Sequence, residues 1–223
     1  MKARFWILAA WAALPWAPVS AQKPLDQPGT VSHRRAEAHF VERVGEFRRT
    51  SVVQYDEDGH DISASYELVR GDGRLVLTVY VYPAATVTNV AGADSADSAR
   101  STLCSQEFNN VRQVIGQQYG GATMTEEGPA PTMTGIEAGL SHRSVFRLRA
   151  PFAGEVRDLR SEVDLYCYVG RRWLVKYRAT SNEGFDAGPE IERFIRTGPW
   201  PGRPEVVDPN DVAALLPASS HAP

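Results

Sequence analysis

The chain predicts an α+β domain: an antiparallel sheet of about six strands in two meanders, ordered β-β-β-α-β-β-β-α and covered by one long and one short helix. Three observations carry that expectation. Two groups of segments alternate apolar and polar residues with the period of two that a half-buried strand requires. Tight turns join segments within each group (Asp56-Glu57-Asp58-Gly59, Gly71-Asp72-Gly73 and Gly170-Arg171-Arg172), so neighbours run antiparallel. Two stretches with helical spacing separate and follow the groups.

Composition agrees with one globular domain. The 223 residues are 43% hydrophobic and 23% charged, which excludes collagen, a coiled coil and wholesale disorder. The 24 basic residues against 27 acidic ones leave a formal charge of −3. A nucleic-acid partner calls for a basic excess, and none is expected here.

Residues 1–21 read as a secretory signal peptide. Lys2 and Arg4 precede an uncharged apolar run from Phe5, and Pro15 and Pro18 break the helix. Val19-Ser20-Ala21 supplies small residues for cleavage after Ala21. The run is too short to span a bilayer, so no transmembrane segment is expected after cleavage. With no Asn-x-Ser/Thr acceptor in the sequence, the periplasm or secretion is the expected destination. Residues 22–37 read as a flexible leader, residues 38–200 as a single domain, and residues 201–223, rich in proline, as a disordered tail.

Within the domain, Ser32 is expected to cap a short helix through Phe40, Val41 and Val44. Strands are expected at 51–55, at 62–68 where Ile62, Ala64, Tyr66 and Leu68 alternate with polar residues, and at 75–82, which is apolar on both faces. Asp94 or Ser95 can cap a long helix whose stripe holds Ala96, Ala99, Leu103, Phe108, Val111, Val114 and Ile115, ended by Gly120-Gly121. Residues 122–135 read as a loop. Strands at about 138–149, 163–169 and 173–179 follow. Pro189 opens a final helix that buries Ile191, Phe194 and Ile195.

The two cysteines, Cys104 on the long helix and Cys167 on a strand, are expected to form a disulfide in an oxidising compartment. Two separately buried thiols are the alternative. Neither neighbours a histidine in sequence, and there is no C-x-x-C redox or zinc motif.

Phe47-Arg48-Arg49, the strand Leu77–Pro83 (LTVYVYP), Lys176-Tyr177-Arg178-Ala179-Thr180 and the Phe194–Trp200 ending resemble uncharacterised exported bacterial proteins. The element order is similar to the PsbP-like α/β/α sandwich. The resemblance covers about residues 38–200 and its motifs are structural. PsbP-like domains serve mostly as assembly and binding modules, so the resemblance implies an accessory role and assigns no functional position.

No motif for a nucleophile elbow, a zinc protease, a P-loop or a dinucleotide fold occurs, so no cofactor, metal site or catalytic residue is expected. Asp56, Asp58 and Asp61 lack the spacing of a calcium loop. Arg70-Gly71-Asp72 reads as a turn rather than an adhesion signal. Tyr80, Tyr82, Tyr166 and Tyr168 repeat at i, i+2 on two strands, and with Arg178 nearby they are the candidate ligand-binding residues. Arg147, Arg149, Arg171 and Arg172 form a basic cluster for an anion or lipid head group, or a solvated face. The expected role is an exported accessory domain that binds an envelope protein or small ligand. A hydrolase with a dispersed Ser/His/Asp-type site around His60 or His142 is the alternative.

Overall fold

The alternating segments do build one large antiparallel sheet, with helices and loops closing parts of both faces. The computed structural model describes residues 22–25, 27–88 and 92–203. The expected signal peptide and residues 204–223 of the expected tail lie outside the described residues. In chain order the strands are β1 (Lys23–Pro24), β2 (Val31–His33), β3 (Ala38–Phe40), β4 (Arg43–Val44), β5 (Phe47–Gln54), β6 (Ile62–Arg70) and β7 (Gly73–Pro83). Helix α1 (Ala93–Gln118) crosses to β8 (Thr123–Gly128), β9 (Ser141–Phe152), β10 (Glu155–Val169) and β11 (Trp173–Asn182), and α2 (Gly188–Thr197) follows. The main sheet runs β1-β5-β6-β7-β11-β10-β9-β8, with β4 also on β5, while β2 and β3 form a separate hairpin.

The α+β class and both meanders stand, but the main sheet has nine strands rather than about six. The expected helix after Ser32 is absent. There Val31, His33, Ala36, Ala38 and Phe40 are buried while Ser32, Arg34, Arg35 and Glu37 are exposed, a pattern that suits a hairpin. Part of the expected leader therefore packs on the core. Residues 123–128 pair with β9 as an exposed edge strand, and β10 starts at Glu155, eight residues earlier than expected. The hairpin joining β9 to β10 turns on Ala153 and Gly154, both with positive φ (53° and 88°), the geometry of a two-residue turn that matches strand twist. The N-cap of α1 is Gly92, without the expected side-chain cap.

The two halves of the sheet are covered on opposite faces. One face of β5, β6, β7 and β11 carries Phe47, Tyr66, Leu77, Val79 and Tyr177 against Ile191, Phe194 and Ile195 of α2. On the other face, α1 lays Cys104, Phe108 and Ile115 on Val163, Leu165 and Cys167 of β10 and Phe146 of β9. Among the described side chains of α1, only those three are buried. A helix so thinly anchored gains from a covalent tie, and Cys104 and Cys167 are disulfide-bonded with a sequence separation of 63. Among the described residues no helix is long and apolar enough to cross a membrane.

On β9 and β10 the face toward α2 is polar yet closed. Glu162 and Asp164 are each 1% exposed. Arg143 reaches Glu162 at 2.6 Å, Arg160 pairs with the other Glu162 oxygen, and Arg143 Nε stands 4.0 Å from Asp164. Burial, and then the Glu162 charge, holds the Asp164 carboxyl well above the usual carboxylate range, with Arg143 opposing.

Two predictions follow from this packing. Replacing Cys104 and Cys167 by alanine should lower unfolding stability by about 2–4 kcal/mol and open α1 to limited proteolysis. An unchanged urea midpoint would show that Phe108 and Ile115 hold the helix unaided. Folded Asp164 keeps a proton at pH values where the unfolded carboxyl, with a pKa near 3.9, has lost it, so its contribution weakens as pH rises above about 4. Asp164→Asn should therefore gain stability relative to the parent between pH 5 and pH 8. Equal urea stabilities for the pair across that range would contradict the buried neutral acid.

Candidate functional site: an arginine-lined cleft

The five tyrosine and arginine candidates do not share one surface. Tyr80, Tyr82 and Arg178 lie on the face that α1 partly covers. Lys176 Nζ sits 4.3 Å from the Tyr80 ring centroid, Tyr82 donates to Glu107 at 2.8 Å, and Arg178 packs over Tyr119. Burial pushes the Tyr80 and Tyr82 hydroxyls up and Lys176 down. Tyr166 points to the opposite face, buried, with its hydroxyl donated to Pro131 O at 2.8 Å. Tyr168 sits at a β-bulge, where the register of β10 on β11 shifts between Tyr166 and Val169. The extra residue ends the alternation that puts Tyr166 and Tyr168 on one face.

The basic cluster also divides. Arg147 pairs with Glu183 at 3.2 Å and Arg149 with Asp158 at 2.9 Å. Arg171 and Arg172 instead occupy the β10–β11 turn and line a cleft of about 530 Å³. Arg35 reaches it from the β2–β3 turn, Arg100 from α1 and His60 from the β5–β6 hairpin, with Trp173 and the Pro83–Val87 segment forming apolar wall. Sequence reasoning found Arg171 and Arg172 and missed Arg35 and Arg100. Their only local signal is basic charge, and tertiary folding alone brings four segments together.

Local structure holds these pieces firmly. The turn N–H groups are satisfied within it, Arg171 N to Tyr168 O at 2.6 Å and Arg172 N to Val169 O at 3.2 Å. The segment after β7 is tied on by Ala84 N to Arg172 O at 2.8 Å and Tyr168 Oη to Ala85 O at 3.1 Å. His33 is fully buried and packs edge-on to Trp173. Its Nδ1 accepts from Ala36 N at 3.0 Å, so Nε2 carries the hydrogen and donates to His60 O at 3.0 Å. Burial lowers the His33 pKa and keeps the ring neutral. One imidazole thus joins the turn bearing Arg35 to the hairpin bearing His60. Asp56 closes that hairpin by accepting from His60 N at 2.9 Å and Asp61 N at 3.2 Å.

The charge around the cleft is unbalanced. Arg100 pairs with Asp97, but among the described residues Arg35, Arg171 and Arg172 have no carboxylate partner. Two nitrogens of lining residues, Arg100 Nε and His60 Nε2, are shielded from solvent without a hydrogen-bond partner. His60 Nδ1 stands 3.9 Å from Asp56, beyond hydrogen-bond reach. His142, the other histidine of the hydrolase alternative, stacks on Phe108 at 4.9 Å, and its Nε2 is also unpartnered. A serine–histidine contact does occur elsewhere, Ser32 Oγ to His39 Nδ1 at 3.1 Å, as an exposed cross-strand pair of the β2–β3 hairpin. Arg70 of the Arg-Gly-Asp turn is engaged by Glu46 at 2.6 Å and Glu190 at 2.9 Å.

Backbone strain is concentrated in the same place. Tyr168 and Arg171 adopt φ of 56° and 65°, a region that side chains other than glycine enter at a cost. Arg171→Gly should therefore raise unfolding stability by about 1 kcal/mol. A loss of stability in urea would show instead that the guanidinium stem contributes packing that outweighs the strain. No family model, curated protein or solved structure matches this chain.

Proposed function

We propose that the chain is an exported accessory domain of the cell envelope that binds an anionic ligand in the arginine cleft without transforming it. The observation that carries this reading is the convergence on one cleft of three guanidinium groups that have no carboxylate partner among the described residues. Like charges drawn together repel, and an anion with several acceptor oxygens relieves that repulsion while satisfying the donors. Arginine suits this role because its planar fork presents paired N–H groups. The N-terminal segment that reads as a signal peptide supports export, as does the disulfide. The PsbP-like element order supports a binding role.

Thermal unfolding with citrate, sulfate or glycerol phosphate at low ionic strength tests the reading. At least one of the three should raise the midpoint by mass action, and about 0.5 M sodium chloride should shrink the rise through screening. Arg171→Glu with Arg172→Glu should abolish it, whereas Tyr80→Ala, on the sheet face beside α1, should leave it intact. Absence of any shift at low salt with all three anions would falsify the assignment.

A further inference from the structure

Resting on the anion reading, we infer that the cleft recognises a phosphate monoester carrying an organic substituent. The first argument is charge. A carboxylate brings one negative charge and two acceptor oxygens. A phosphate monoester brings about −1.5 to −2 near pH 7 and three terminal oxygens, closer to what Arg35, Arg171 and Arg172 leave uncompensated.

The second argument is direction. The donors come from three separate supports: the β2–β3 turn, helix α1 and the β10–β11 turn. A carboxylate is planar and is best served by one fork in its own plane. A tetrahedral group accepts from several sides.

The third argument is size. About 530 Å³ lies within the range of clefts that hold drug-sized molecules, so inorganic phosphate leaves much of it empty. Pro83, Ala84, Val87 and Trp173 supply an apolar wall for the substituent. A soluble metabolite and a lipid head group present the same phosphate-monoester chemistry to the cleft.

Isothermal titration at low salt with glycerol 3-phosphate and with succinate, both dianions near neutral pH, separates the class of ligand from the anion reading. Glycerol 3-phosphate is expected to bind at least tenfold more tightly. Arg171→Gly, which relaxes the backbone instead of straining it, should raise the thermal midpoint by about 2–4 °C and weaken the phosphoester at least tenfold. Equal affinities for the two dianions would overturn the phosphate assignment and leave an anion site. Binding of neither would remove both. Sedimentation with phosphatidylcholine vesicles containing phosphatidic acid then assigns the source. Capture by those vesicles, competed by glycerol 3-phosphate, identifies a lipid head group, and tight binding of the soluble ester without capture identifies a soluble ligand.

Discussion

The register of β7 against β11 is the constraint on which the rest of the molecule depends. It sets Val81 opposite Val175, Val79 opposite Tyr177 and Leu77 opposite Ala179, and it joins into one sheet two meanders that α1 connects along the chain. A slip of one residue would turn Tyr177 toward α1 and Lys176 into the α2 core. Correct register sends Tyr66, Tyr166 and Tyr177 to a single face. Their hydroxyls donate to Val41 O, Pro131 O and Pro199 O, one carbonyl from each of three covering segments. A buried hydroxyl needs a partner, so these bonds fix where the irregular segments lie over the sheet as well as satisfying the side chains.

The β10 bulge adapts this regular frame to two further tasks. Up to Cys167 the strand alternates, placing Val163, Leu165 and Cys167 toward α1, where Cys167 meets Cys104. Beyond it the inserted residue returns Val169 to the α2-side core with Trp173. Tyr168 is left at the rim, where its hydroxyl holds the chain leaving β7. The same irregularity therefore ends the helix-bearing surface and begins the cleft. Had β10 continued without a bulge, Val169 would face α1 and the Gly170–Arg172 turn would start from the opposite side of the pleat.

β6 was legible in the sequence from its clean period of two, and β7 from an apolar run on both faces that stops at Pro83. The α+β class followed from those patterns and the turns between them. β8 was not legible, since Thr123–Gly128 is exposed along nearly its whole length and has no buried face to generate a pattern. The early part of β10 was hidden because Glu162 and Asp164 occupy inward positions that normally hold apolar residues; the ion pairs of Glu162 with Arg143 and Arg160 and the retained proton of Asp164 make this tolerable. The hairpin of β2 and β3 was mistaken for a helix because Phe40, Val41 and Val44 also fit a spacing of three to four. For the candidate site, the paired arginines after Gly170 were visible, but convergence of Arg35, Arg100 and His60 is a property of tertiary structure. The tyrosine pattern misled because parity along β10 fails at a bulge that has no glycine to announce it.

The cleft combines two features that each oppose folding. The described chain holds four non-glycine residues with positive φ: Glu37, Ala153, Tyr168 and Arg171. Ala153 belongs to a hairpin turn whose geometry demands that conformation. Arg171 sits in the β10–β11 hairpin turn in the same way, beside Gly170 with φ of 55°; Tyr168 and Arg171 line the cleft, and Glu37 ends the turn that carries Arg35. Arg70, Arg143, Arg147, Arg149 and Arg160 meet carboxylates; among the described residues Arg35, Arg171 and Arg172 do not, as Arg34, Arg43, Arg48, Arg49, Arg178 and Arg203 do not, but these three converge on one cleft. A glycine at the turn would relieve the backbone strain, and an acidic neighbour would relieve the unpaired charge. In this concave region, braced by His33 and by the bonds from Ala84 and Tyr168, the gathered basic side chains are where the proposed anion would supply negative charge.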